Sequence, residues 1–70
     1  MDTIFKVIEL VGTSSEGYEK AIANAVARAG TTLKGLEFFE VTEHRGHIRG
    51  GALIHQVKVK IGFKVEDIHG

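Results

Sequence analysis

Phe38 is the residue whose surroundings say most about chemistry. It stands in Leu36-Glu37-Phe38-Phe39-Glu40-Val41, and two adjacent aromatics must point to opposite faces of any strand that holds them. One ring goes into a core. The other is left on a face that otherwise reads Glu40, Thr42, His44. A large apolar ring among polar neighbours either packs against another subunit or stacks on a flat ligand. A side-chain amide, which both donates and accepts hydrogen bonds, stands on the expected third strand as Gln56. Strict alternation places Gln56 on the Phe38 side of the sheet, provided no bulge intervenes.

The remaining reactive side chains suggest little. Of the four histidines, His44 and His47 cannot share one face of a regular strand, so a paired metal site is not expected. Alternation puts His44 with Glu40 on the Phe38 face, where it would line a cavity. His55 falls on the apolar face, as a core or interface histidine does, and His69 lies in the tail. Thr13-Ser14-Ser15 reads as a helix cap, because no histidine or acid is placed to activate a nucleophile. Arg49-Gly50-Gly51 lacks the strand-to-helix context of a phosphate loop and reads as a turn. No catalytic residue is assigned, and the chain is not expected to be an enzyme.

These groups must be held by a few short elements. Thr3 to Val11 is rich in β-branched residues and reads as a strand, with Ile4, Ile8 and Leu10 on one face and Phe5 and Val7 on the other. Both faces are partly apolar, as in a sheet covered on both sides. Gly12 is expected to break this strand, and Thr13-Ser14-Ser15-Glu16 has the spacing of a capping box. Tyr18, Ile22, Ala25, Val26, Ala29 and Leu33 then recur at three- and four-residue steps, predicting an amphipathic helix from Ser15 to Leu33. Its alanines let it lie close against a sheet. Gly30 weakens the last turn by about 1 kcal/mol, and Gly35 is the expected C-cap.

Leu36 to Ile48 and Leu53 to Glu66 read as two further strands. Gly50 and Gly51 between them supply the positive φ angles of a tight hairpin. On the last strand His55, Val57, Val59, Ile61, Phe63 and Val65 alternate with Gln56, Lys58, Lys60, Gly62 and Lys64. Phe39 and Val41 belong to the core side, which by strict alternation also takes Arg45. The fold class is α+β: a β-α-β-β protomer with a three-stranded antiparallel sheet packed on one helix. The hairpin strands are longer than the helix needs, which leaves length for contacts with other copies.

The 70 residues, 43% of them hydrophobic, suit one small domain spanning residues 1–70. A chain of this size buries only about 60% of its unfolded surface, so its core is marginal alone. It has no cysteine for a disulfide or thiolate metal site, and oligomerisation becomes the leading expectation. Nine acids balance nine bases, which argues against nucleic-acid or anionic-membrane partners. No apolar run approaches the roughly 20 residues that span a bilayer, and no secretory signal pattern opens the chain. A soluble cytoplasmic protein is expected.

Lys6-Val7-Ile8-Glu9-Leu10-Val11-Gly12-Thr13-Ser14, Phe39-Glu40-Val41, Arg45-Gly46-His47-Ile48, Gln56-Val57 and Gly62-Phe63 together resemble the dodecin family, in order and over nearly the whole chain. The resemblance implies a hollow homododecamer that binds flavins (riboflavin, lumichrome or FMN) in pairs at subunit interfaces. It implies storage or buffering of the flavin, without catalysis, and some members also bind coenzyme A. In the family pattern a tryptophan stacks on the isoalloxazine ring and a glutamine bonds its polar edge. The glutamine is kept as Gln56, and Phe38 occupies the tryptophan position.

The residues support that site on physical grounds as well. A flavin is flat, with an apolar end and a hydrogen-bonding pyrimidine end, so an aromatic plate plus an amide is a minimal recognition pair. Two-fold symmetry would duplicate the plate. Arg45 has the bidentate fork that suits the phosphate of FMN or coenzyme A, its alternative being an interface ion pair. Phenyl overlaps a flavin less than indole does, so stacking at Phe38 is expected to be weakened. The rival reading is a coenzyme A-binding or purely structural assembly protein with no flavin role.

Overall fold

The computed structural model describes residues 2–65. The chain order is β1 (Phe5–Ser14), α1 (Tyr18–Gly30), β2 (Leu36–Arg49) and β3 (Ala52–Lys64), the expected β-α-β-β. All pairings are antiparallel, and β3 lies in the centre in the order β1-β3-β2. The valine-rich alternation of β3 accounts for that position. Val57, Val59 and Ile61 are fully buried beneath the helix, while the residues between them form the opposite, outer face.

Helix α1 buries Ala21, Ala25 and Ala29 against the sheet, with Val26, Ile8, Leu10, Leu36 and Val41 around them. Side chains this small bring the helix axis close to the strands, and the closest approach is at Gly12. A Cβ there would run into the Ala21 carbonyl oxygen and the Ala25 methyl group. Gly12 therefore does not break β1 as expected. It sits within the strand as the point where helix and sheet backbones meet, and pairing continues to Ser14 opposite His55.

The helix ends also differ from expectation. Gly17, at φ 144°, is the N-cap and supplies no side-chain hydrogen bond, so no capping box forms. The Ser14 hydroxyl instead accepts the Glu16 N–H at 2.9 Å in a local turn. At the other end, the Thr31 N–H donates to the Arg28 carbonyl at 3.2 Å, and the Thr32 and Leu33 N–H groups donate to that of Ala29, while the Thr31 hydroxyl donates to the Arg28 carbonyl at 2.7 Å. Regular helix thus stops at Gly30, the weak position, before Leu33. Gly35, at φ 73°, opens β2, where its carbonyl accepts the Lys64 N–H at 2.9 Å. The tight turn is as expected, with Gly50 and Gly51 both at positive φ. Glu66, expected to end the last strand, and His69 lie outside the described residues.

A helix of 13 residues covers about 20 Å. The hairpin strands of 14 and 13 residues run to about 45 Å. The molecule is accordingly drawn out to 57 × 20 × 13 Å, and the hairpin projects past the helix as an arm. The helix lies over β1 and β3 and barely touches β2. As a result Phe39, on the helix side opposite Ile61, is 53% exposed, and Ile48 and Leu53 near the arm's tip are 79% and 59% exposed.

Candidate functional site: the outer face of the sheet

The outer face is a ladder of cross-strand rows read from the pairing. Val7, Gly62 and Phe38 form one row, then Glu9, Lys60 and Glu40, then Val11, Lys58 and Glu43, then Thr13, Gln56 and Arg45. It is apolar at the end nearer the chain's start and polar toward the hairpin tip. In the middle, Lys60 stands between two acids. Opposite charges directly across strands contribute a few tenths to about 1 kcal/mol each.

Two register shifts in β2 decide what this face presents, one between Leu36 and Phe38 and one between Val41 and Glu43. The first, at Glu37, lets Leu36 join the core while Phe38 turns outward. The second, at Thr42, reverses the parity of everything beyond it. The Thr42 hydroxyl bonds the Lys58 carbonyl at 3.2 Å there.

Phe38 is therefore on the outer face, as expected, and its ring leans across the sheet. The ring tip lies over Gly62, in the space that a Cβ of residue 62 would fill. Phe5 meets it edge-to-face, with centroids 5.4 Å apart and planes at 76°. Phe38 is 45% exposed, so it is braced by Gly62 and Phe5 and otherwise open.

Gln56 shares this face, but not this neighbourhood. From Gly62 back to Gln56 along β3 is about 20 Å at the usual strand rise. No single three-ring ligand reaches both residues of one protomer. A site that uses the two together must take them from different copies.

Arg45 is the main correction. Alternation put it with Phe39, but the Thr42 bulge carries it to the outer face directly opposite Gln56. Its Nη2 meets Glu43 Oε2 at 2.6 Å, and Lys58 Nζ approaches the other oxygen of Glu43 at 3.8 Å. The same bulge removes His44 from the Phe38 face. His44 instead packs on the helix side against Tyr18 (centroids 4.7 Å), which His55 meets from the other flank at 4.8 Å. This aromatic group continues the core past the first turn of the helix. His47, to which no role was given, lies on the outer face and bonds Gln56, Nε2 to Oε1 at 2.7 Å. Among the described residues no group of three or more His, Cys, Asp or Glu is arranged to hold a metal ion.

Comparison with known proteins agrees with this architecture over almost its full length. The family model described as Dodecin matches residues 4–66. The chain belongs to the dodecin family. Dodecins are known as dodecameric small-molecule-binding proteins, not as enzymes. Among dodecins, that of Thermus thermophilus is 48% identical over 68 residues, covering 96% of this chain and 99% of the relative. A tryptophan-to-phenylalanine mutant of the same Thermus dodecin has a solved structure that superposes with a TM-score of 0.88 at 48% identity, covering 94% of this chain and 100% of the mutant. The calcium dodecin of Mycobacterium tuberculosis is 30% identical over 64 residues, 90% of either chain. No helix among the described residues is long and apolar enough to cross a membrane.

Proposed function

We propose that this dodecin is a non-enzymatic flavin store, sequestering riboflavin, lumichrome or FMN at interfaces of a homododecamer. The observation that carries the reading is the ring of Phe38, seated on Gly62, braced by Phe5 and open on its other side. An aromatic ring braced on one side and exposed on another is a stacking platform. Gln56 of a neighbouring copy supplies the amide for the pyrimidine edge, and Arg45 beside it faces the ribityl phosphate when the ligand is FMN. Glu43 holds one amino group of that guanidinium, so phosphate binding at Arg45 competes with an ion pair. The arm bearing Ile48 and Leu53 and the exposed Phe39 are the surfaces that neighbouring copies cover. In a chain whose fully buried side chains are this few, such cover completes the core.

Titration of the assembled protein with riboflavin and lumichrome, followed by flavin absorbance and fluorescence, tests the reading. Saturable binding that weakens on Phe38→Ala supports it, and no binding of either flavin removes it.

A second reading, coenzyme A binding, has one observation in its favour. Lys6, Lys34 and Lys64 surround a cavity of about 320 Å³ floored by Phe63 and Val65. Three cations over an apolar floor suit a ligand with phosphates and a flat ring. Coenzyme A binding that falls steeply with salt and with Lys34→Ala, in protein that takes up no flavin, would favour this reading.

A further inference from the structure

Gln56 lies at the centre of a polar patch made by Thr13, Arg45 and His47. Its amide is two-faced: the oxygen accepts and the nitrogen donates, and a half-turn about the last side-chain bond exchanges them. Which face meets a ligand depends on what holds the other. In this chain His47 Nε2 is 2.7 Å from Oε1 of Gln56. The oxygen carries no hydrogen, so the imidazole N–H donates. That bond turns Oε1 toward the hairpin tip, and the amide NH2 group is presented on the opposite side.

We propose that His47 is a positioning residue for Gln56: it fixes the amide so that the NH2 group, a donor, faces the ligand, and the site selects a ring carbonyl. The inference rests on the flavin reading above. It specifies the part of a flavin that meets the Gln56 NH2 group, a carbonyl of the pyrimidine edge. Without His47 the amide samples both orientations, and ligand binding must first select one.

His47 sits on the exposed arm, and its ring makes no contribution to the buried core, so its replacement leaves the protomer's packing intact. The test compares riboflavin titrations of the wild type, His47→Ala and His47→Gln, with assembly size checked for each. The glutamine places an N–H donor near the position of the imidazole Nε2. Loss of one hydrogen bond's worth of preorganisation predicts about fivefold weaker binding in His47→Ala, with recovery in His47→Gln. Infrared difference spectra of bound riboflavin give an independent signature. The ring carbonyl stretch shifts upward in His47→Ala, as its donor loosens, and returns in His47→Gln. If His47→Ala does not assemble, His47→Thr, whose hydroxyl is too short to reach the amide, takes its place. A wild type that binds riboflavin with the same affinity and carbonyl frequency as His47→Ala overturns the positioning role and leaves the flavin reading standing. A wild type that binds no riboflavin overturns both.

Discussion

The ring tip of Phe38 occupies the volume above Gly62, its cross-strand partner, that a side chain at residue 62 would claim. The glycine is there for the aromatic. A missing Cβ lets the ring tip come down onto the Gly62 backbone, and Phe5 packs edge-to-face against the ring at 5.4 Å.

Gly62→Ala should therefore lift or rotate the ring. The methyl group meets three ring atoms at sub-contact distance, and forcing such overlaps costs about 2 kcal/mol. Part of that loss should appear in thermal unfolding. If Phe38 is the stacking platform, riboflavin affinity should fall by more than the change in assembly stability explains.

Gly12→Ala tests the other close approach, far from the outer face. Its methyl group would strike the Ala21 carbonyl oxygen, which is backbone and cannot swing aside. A loss of about 2 kcal/mol or more is expected, seen as a lower unfolding midpoint. Flavin affinity per folded assembly should hardly change, which separates this glycine's role from that of Gly62.

Much of this arrangement was legible in the amino-acid sequence, and the failures have a common cause. The β-branched run of β1, the alanine stripe of α1 and the Gly50-Gly51 turn each act locally, and each produced its element, although β1 runs over Phe5–Ser14 and not Thr3 to Val11, and α1 over Tyr18–Gly30 and not Ser15 to Leu33. The placement of Phe38 and Gln56 on one face was likewise correct. Gly12, by contrast, is spared a side chain because of a helix that packs on it from Ala21 to Ala25, a contact invisible in local pattern. Arg45 and His44 were assigned to the wrong faces because Thr42 is an extra residue in β2, and a bulge is settled by pairing with the partner strand. One local signal does place Arg45. Counting back residue by residue from the Gly50-Gly51 turn pairs Arg45 with Gln56 directly, before any bulge is reached. The His47 contact with Gln56 lies on the same count, one diagonal nearer the turn.

The proposed sharing of the site between copies makes a prediction about mixtures. Phe38 and Gln56 of one protomer are about 20 Å apart, so a flavin that uses both draws them from two copies. Assemblies re-formed from a mixture of Phe38→Ala and Gln56→Ala chains should contain some sites with both residues intact. Riboflavin titration should reveal a tighter class of sites in the mixture than in either variant alone. No such class would mean that the two residues do not serve one ligand.

Arg45 should matter only where the ligand carries a phosphate. Arg45→Ala is expected to weaken FMN by about tenfold, the worth of one charge-assisted contact, and to leave lumichrome nearly unchanged. Glu43→Gln, which frees the guanidinium from its 2.6 Å partner, should act in the opposite direction on FMN. Equal effects of Arg45→Ala on both ligands would assign the residue to assembly.

The most direct test of the account is a fluorescence titration of riboflavin with three assembled proteins: wild type, Phe38→Ala and Phe38→Trp. Aromatic stacking contributes roughly 0.5 to 1.5 kcal/mol beyond area burial, and the larger indole should tighten binding by about tenfold. Indole also gives up an electron to an excited flavin more readily than phenyl does, so bound riboflavin should be quenched more deeply. The account predicts affinities in the order Phe38→Trp, wild type, Phe38→Ala, with the deepest quenching in the first. Three equal affinities, or no saturable binding in any, would contradict it.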